Sequence, residues 1–233
     1  MIDDGKPPLA ARSEPQASKA NAVASGREAA AYRAAVDHAL STTRSVRRRI
    51  DWARPIEPEV IEAAIDVAVQ APTGANAEAW RFLVISEPAP KQAMADLYRR
   101  ALARFRTTRS EAAQKQSVND LAERLHEAPV LILVCSEGVP DAASRAVQVA
   151  FYASVLPAAW SLMVALRARG LGATWTTLHL AHEAEAAAAL GIPDGVTQTV
   201  LLPVGYLQGA VLKPAARKPA REVTYWNRWG ARR

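Results

Sequence analysis

The stretch Asp141–Arg169, DAASRAVQVAFYASVLPAAWSLMVALRAR, decides the fold. It contains no glycine, and its large apolar residues (Val147, Val149, Phe151, Tyr152, Val155, Leu156, Trp160, Leu162, Met163, Leu166) cover every side of a helix. A helix that is apolar all round is buried, so this one is expected at the centre. Pro157 is expected to kink or restart it, because proline lacks the N–H that the helix needs. Gly170 and Gly172 then stop it.

On the C-terminal side, Ala173–Leu178 (ATWTTL) reads as a β-branched strand. Ala181–Leu190 reads as a short helix closed by Gly191, and Thr197–Tyr206 (TQTVLLPVGY) as the last strand. On the N-terminal side, Pro129–Ser136 is an apolar strand bounded by Gly138 and Pro140, and Trp80–Ser86 is another. Lys91–Arg104 and Ser110–His126 are polar helices expected on the outside. Ile56–Gln70 is amphipathic, with Val60, Ile61, Ala64, Ile65, Ala68 and Val69 on one stripe. Arg27–Leu40 is an Ala-rich helix. Four strands among six or more helices give an α+β or α/β sandwich of one domain. Residues 1–26, with three prolines and scattered apolar residues, read as a flexible tail, and the Pro-rich stretch after Leu207 as an extended arm carrying Trp226 and Trp229.

Composition narrows the function. The 233 residues carry 29 Lys+Arg and 23 Asp+Glu, a net charge of +6. That charge is localised: Arg44–Arg54 and Lys213–Arg233 are basic and the remainder is mildly acidic. Two such segments either form a nucleic-acid surface or meet around one anionic ligand. No zinc-finger spacing or aromatic-basic motif supports nucleic acid. A single cysteine, Cys135, excludes an intramolecular disulfide and a multi-cysteine zinc site. No run approaches the ~18 consecutive apolar residues of a membrane span, and Met1–Ala20 has acids where a signal peptide has bases. The expectation is a cytoplasmic protein without a membrane partner.

Catalytic devices are scarce. The four histidines (His38, His126, His179, His182) form no metal spacing, and no nucleophile elbow, Walker loop or dinucleotide fingerprint is present. Such a chain either binds without catalysis, as an anion-binding helical protein, or borrows a reactive cofactor.

Four segments make the second option concrete: Thr42–Asp51 (TTRSVRRRID), Ala71–Trp80 (APTGANAEAW), Gly170–Leu178 (GLGATWTTL), and Pro203–Tyr206 (PVGY) followed by Arg217-Lys-Pro219. In this order and at these separations the chain resembles the FMN-dependent nitroreductase family, over roughly Ser41–Pro219. The resemblance implies a central, mostly antiparallel sheet flanked by helices, with extended arms. It places the FMN-binding domain at 27–221 and a C-terminal arm at 222–233. It also implies a homodimer with FMN at the interface, and NADH or NADPH reducing the flavin. A nitroaromatic, quinone or related conjugated acceptor then reoxidises it by ping-pong.

The implied site residues suit that cofactor. Arg44 supplies a guanidinium and Ser45 a hydroxyl for the phosphate, with Val46 in the same turn. By resemblance Arg48 lies near the flavin pyrimidine edge, with Arg47 the competing position. A cation there stabilises the negative charge of reduced flavin. Asn76 offers both a donor and an acceptor to the ring. The family pattern continues Asn-x-Gln-Pro-Trp, whereas this chain reads Asn76-Ala-Glu-Ala-Trp80, so Glu78 brings an anion in place of an amide. Thr174 and Trp175 line the flavin, with Trp175 as a wall, and Thr176 and Thr177 give main-chain contacts. Arg217 returns to the phosphate.

Overall fold

The computed structural model describes residues 26–108, 116–209 and 211–233. In chain order the elements are α1 (Gly26–Thr42), β1 (Ile50–Asp51), α2 (Pro58–Ala68), β2 (Trp80–Ile85), α3 (Pro88–Thr108) and α4 (Gln116–Arg124). They continue with β3 (Val130–Glu137), α5 (Arg145–Ala168), β4 (Leu171–Ala173), α6 (Glu183–Leu190), β5 (Val196–Leu207) and α7 (Ala220–Val223). The chain divides into two units between Asp37 and His38, and the sheet belongs wholly to the second.

β5 organises the sheet. β3 pairs antiparallel along most of it, from Val130↔Val204 to Glu137↔Val196, and β2 pairs antiparallel with the far edge of β3. β4 and β1 pair with the C-terminal end of β5, at Ala173↔Val204 and Ile50↔Leu207. Alternation along the strands divides the core by faces. Val130, Ile132, Val134, Val200, Leu202 and Val204 join α2 and α5 in one cluster. Leu131, Leu133, Cys135 and Leu201 join α3, α4 and α6 in the other. A register shift after Val134 leaves Thr199 opposite no partner, and its hydroxyl instead donates to Val134 O at 2.7 Å.

The α+β architecture with an antiparallel sheet is therefore present, and several details differ from the sequence reading. Five strands form rather than four, since the two residues of β1 are too few to show periodicity. β4 is Leu171–Ala173, not Ala173–Leu178. Beyond Ala173 the chain still runs beside β5, but the ladder is broken at Pro203, which accepts from Thr174 N–H and has no N–H to return, before Thr176 and Leu201 exchange both bonds. α5 runs through Pro157 without a break. Only its C-terminal half is central: Val155, Ala158, Ala159, Leu162, Met163, Ala165 and Leu166 are buried, whereas Val147 and Val149 are exposed. By length and apolarity α5 matches a membrane-spanning helix, but its buried half packs on the sheet and on α2. Arg169 fastens that end, donating to Ala63 O at 2.9 Å.

The helix read as polar and outward, α3, buries Met94, Ala95, Leu97, Tyr98, Ala101 and Leu102 at spacings of three and four. Within 1–26, residues 1–25 lie outside the described residues, as do 109–115 of the second polar helix. In the C-terminal arm, Tyr225 and Trp229 pack ring to ring at 4.7 Å, yet Trp229 is 90% exposed.

Gly172 and Gly205 face each other across β4 and β5. A Cβ on Gly205 would overlap Ile50 Cγ2 and press on Pro129, and one on Gly172 would overlap the Leu207 side chain. Ile50 is β-branched and buried, so it has little room to yield. Gly205→Ala is expected to lower unfolding free energy by about 1–3 kcal/mol, measured as a shift in the urea midpoint.

Candidate functional site

The site begins where α1 ends. Thr42 and Thr43 turn their hydroxyls back onto His38 O and Ala39 O, both at 2.6 Å. The loop that follows is stitched to the stretch after β4. Val46 N–H donates to Ala173 O (2.9 Å), Thr174 Oγ1 donates to Val46 O (2.5 Å), and Trp175 N–H donates to Ser45 Oγ (3.0 Å). Arg44 donates to Lys213 O at 3.0 Å and so draws the C-terminal stretch to the same place. Arg44, Ser45, Val46, Thr174 and Trp175, far apart in sequence, are thus assembled.

Their chemical roles separate. Ser45 only accepts from Trp175, so its own proton is free for a ligand. The Thr174 hydroxyl is fully buried and committed to Val46. Thr176 does not offer the main-chain contact expected of it, because its N–H and C=O both pair with Leu201, at 3.1 and 2.9 Å. Thr177 is exposed, and Trp175 is half-buried against the α2–α5 cluster. Arg217 is exposed and its side chain bonds to no other described residue.

Arg47 and Arg48 differ in environment. Arg48 is exposed and reaches Asp120 on α4 at 3.6 Å. Arg47 is half-buried, and its Nε is enclosed with no acceptor among the described residues. The two arginines share a cavity of about 530 Å³ with Arg49, Trp52, Asp120 and Arg124. Tyr98 was not singled out from sequence. It lies buried on α3 with its hydroxyl 3.5 Å from Thr176 Oγ1. Burial raises its pKa, opposed by the Thr176 hydrogen bond and the Arg47 charge. The three-four spacing from Met94 to Leu102 was the signal available for it.

Asn76 stands apart. It lies on the turn Gly74–Asn76, anchored by Gly74 N–H donating to Ser154 Oγ at 3.0 Å. It lines a separate cavity of about 660 Å³ with Thr73, Glu78, Trp80 and Arg81. Within one chain the Asn76 cavity and the Arg47 cavity share no lining residue.

The family model described as the nitroreductase family matches residues 40–206, which include every one of these segments except the C-terminal stretch. The chain belongs to the nitroreductase family. Among relatives in that family, it is 32% identical over 195 residues to iodotyrosine deiodinase 1 of Rattus norvegicus, covering 79% of this chain. It spans just under two thirds of that relative's length, 66%. It is 30% identical over 192 residues to the iodotyrosine deiodinase of Thermotoga neapolitana, covering 79% of this chain and 93% of that protein. A solved iodotyrosine deiodinase, bound to FMN and 3-iodo-L-tyrosine, superposes with a TM-score of 0.60 at 27% identity. The match covers 82% of this chain and 97% of that one.

Two polar groups of this nitroreductase-family chain are shut into its core. Burial pushes the Cys135 thiol up to about 12, with a smaller push from Glu183, which makes it inert. His179, on the 3-10 turn Leu178–His182 just past Thr177, is fully buried, and neither ring nitrogen finds a partner among the described residues. Desolvation lowers its pKa from 6.5 to about 4. The unfolded chain therefore binds a proton that the folded chain refuses. His179 takes nothing from stability above pH 6.5, and its cost grows as the pH drops toward 4, to roughly 3 kcal/mol. Thermal unfolding across pH 4–7 is expected to show this loss, and His179→Leu to flatten it.

Proposed function

We propose that the chain is an FMN-dependent oxidoreductase that takes hydride from NADH or NADPH and reduces a nitroaromatic, quinone or other conjugated acceptor. The observation that carries this reading is the stitched loop Arg44–Val46 against Ala173–Trp175, beside an Arg47 Nε–H that is enclosed and has no acceptor. A buried donor left unfilled costs ~1–3 kcal/mol, so an acceptor from a ligand is its natural partner. The donors fit FMN. Arg44 and the free Ser45 proton suit a phosphate, and an arginine set further along suits the pyrimidine edge. Burial favours Arg47 over Arg48 for that second role, since Arg48 is already tied to Asp120 in solvent. When bound, FMN supplies a centre that accepts hydride and passes electrons to the acceptor. The chain's own residues orient the ring and favour its extra negative charge.

The single chain leaves Asn76 away from Arg44, which supports a site completed by a second copy. The exposed apolar residues of α5, Val147, Val149 and Tyr152, offer the surface for that contact. Trp229, almost wholly exposed on its arm, offers a clasp.

A second reading follows from identity to the deiodinases: the acceptor is a halogenated phenol, and the same reducing equivalents expel halide. The two readings share the cofactor and differ in the acceptor.

Three measurements test the proposal. Purified protein is expected to be yellow and to bind FMN non-covalently. Arg47→Ala should weaken binding by ~1.5–3 kcal/mol, while Arg48→Ala stays within about 0.5 kcal/mol. Protein that takes up no FMN on titration sinks the reading. Anaerobic mixing with NADH or NADPH should bleach the flavin, and whichever of a nitroaromatic, a quinone or a halophenol restores the colour fastest identifies the acceptor. Deleting residues 222–233 should lower dimer content in sedimentation and FMN occupancy together, through mass-action linkage; an intact, fully loaded dimer would remove the arm from the assembly.

A further inference from the structure

The turn that carries Asn76 has a second polar residue. Three non-glycine residues here occupy the left-handed region: Ala75 (φ 51°), Asn76 (φ 53°) and Glu78 (φ 49°). Such conformations cost of order 1–3 kcal/mol each and persist where the surroundings impose them. They place Asn76 and Glu78 on the wall of one cavity. Asn76 Nδ2 donates to Glu78 Oε1 at 3.5 Å. That contact takes one of the amide's two donors and leaves its carbonyl oxygen and second N–H unused.

The Glu78 carboxylate has no cation partner among the described residues. Arg81, its nearest guanidinium in sequence, donates to the carbonyls of Glu78 (3.1 Å) and Trp80 (2.7 Å) and pairs with Glu137 at 2.7 Å. Arg81 lines the same wall, but its charge is met by Glu137, so the exposed Glu78 carboxylate is left as a negative charge in no ion pair. In the same wall the Thr73 hydroxyl is buried without a partner.

We infer that Glu78 is a positioning residue for Asn76 and the group that sets the redox bias of the site. Its carboxylate fixes the amide's orientation, and its charge opposes that of Arg47. This rests on the FMN reading and goes beyond it. Reduced FMN carries more negative charge than oxidised FMN, so an unpaired carboxylate weakens retention of the reduced form more than of the oxidised form. The glutamine that the resemblance leads one to expect at this position would do the first task and not the second.

Glu78→Gln separates the two, since it keeps the side-chain shape and the backbone conformation and removes the charge. The test is a spectroelectrochemical titration of the FMN-loaded wild type and variants, with thermal melts alongside. Oxidised FMN should bind Glu78→Gln within about twofold of wild type. The reduced form should be held about tenfold tighter, a rise of about 30 mV in the two-electron midpoint. Glu78→Asp, which keeps the charge, should stay near the wild-type potential. An FMN-loaded Glu78→Gln protein with an unchanged potential overturns this inference alone, whatever its melting temperature. Wild type that takes up no FMN overturns the flavin reading and this inference with it.

Discussion

The backbone of β5 is approached unusually closely at one point, and the rest of the site depends on that approach. At Gly205 the chain has no side chain, so Ile50 of β1 can lie across it while Gly172 of β4 pairs with it. Two strands of two and three residues would not hold a register unaided. Here their register is imposed by the length of β5, which is itself fixed along β3 and buried on both faces. The loop entering β1 and the stretch leaving β4 then lie side by side, and the Val46–Ala173 and Thr174–Val46 bonds follow from that placement.

Rigidity and chemical availability are divided among neighbouring residues. Thr174, Thr176 and Val46 are consumed in holding the two segments together. Ser45 and Arg47 are left with unfilled donors at the surface of that scaffold. A ligand site needs this division, because a donor already satisfied by the protein gains nothing from a ligand. Tyr98 extends the scaffold to α3. It touches Thr176 from the opposite face of the sheet to α5 and links the loop pair to the helices that differ most in character from the core.

The electrostatics of the candidate site are mixed in sign. Arginines dominate beside the stitched loop, whereas Glu78, in no ion pair among the described residues, stands beside Asn76 on a wall it shares with Arg81. In the two-copy reading both act on one cofactor from opposite ends, so its potential is set by a balance of charges and not by the basic segments alone. The same basic segments account for the net positive charge of a chain whose remainder is mildly acidic.

Much of the fold was legible because it rests on local periodicity. The apolar run Val130–Cys135, the stripe of α2 and the glycine stops after α5 and α6 each carry their meaning in neighbouring residues. The candidate site residues Arg44, Ser45, Asn76 and Trp175 were legible only as members of motifs read in order. Three things were not in the sequence. Tyr98 looked like part of a polar helix until α3 was laid on the sheet, where its spacing buries it. Arg47 and Arg48 are adjacent and chemically identical, and only burial on the folded chain tells them apart. Thr176 looked free to meet a ligand until β5 took both of its main-chain groups. Sequence alone determined which residue types stand where and the longer helices and strands, since those depend on neighbours along the chain, but not the short strands β1 and β4. Tertiary structure decided which donors are spent and which are left, since that depends on partners as much as 169 positions away.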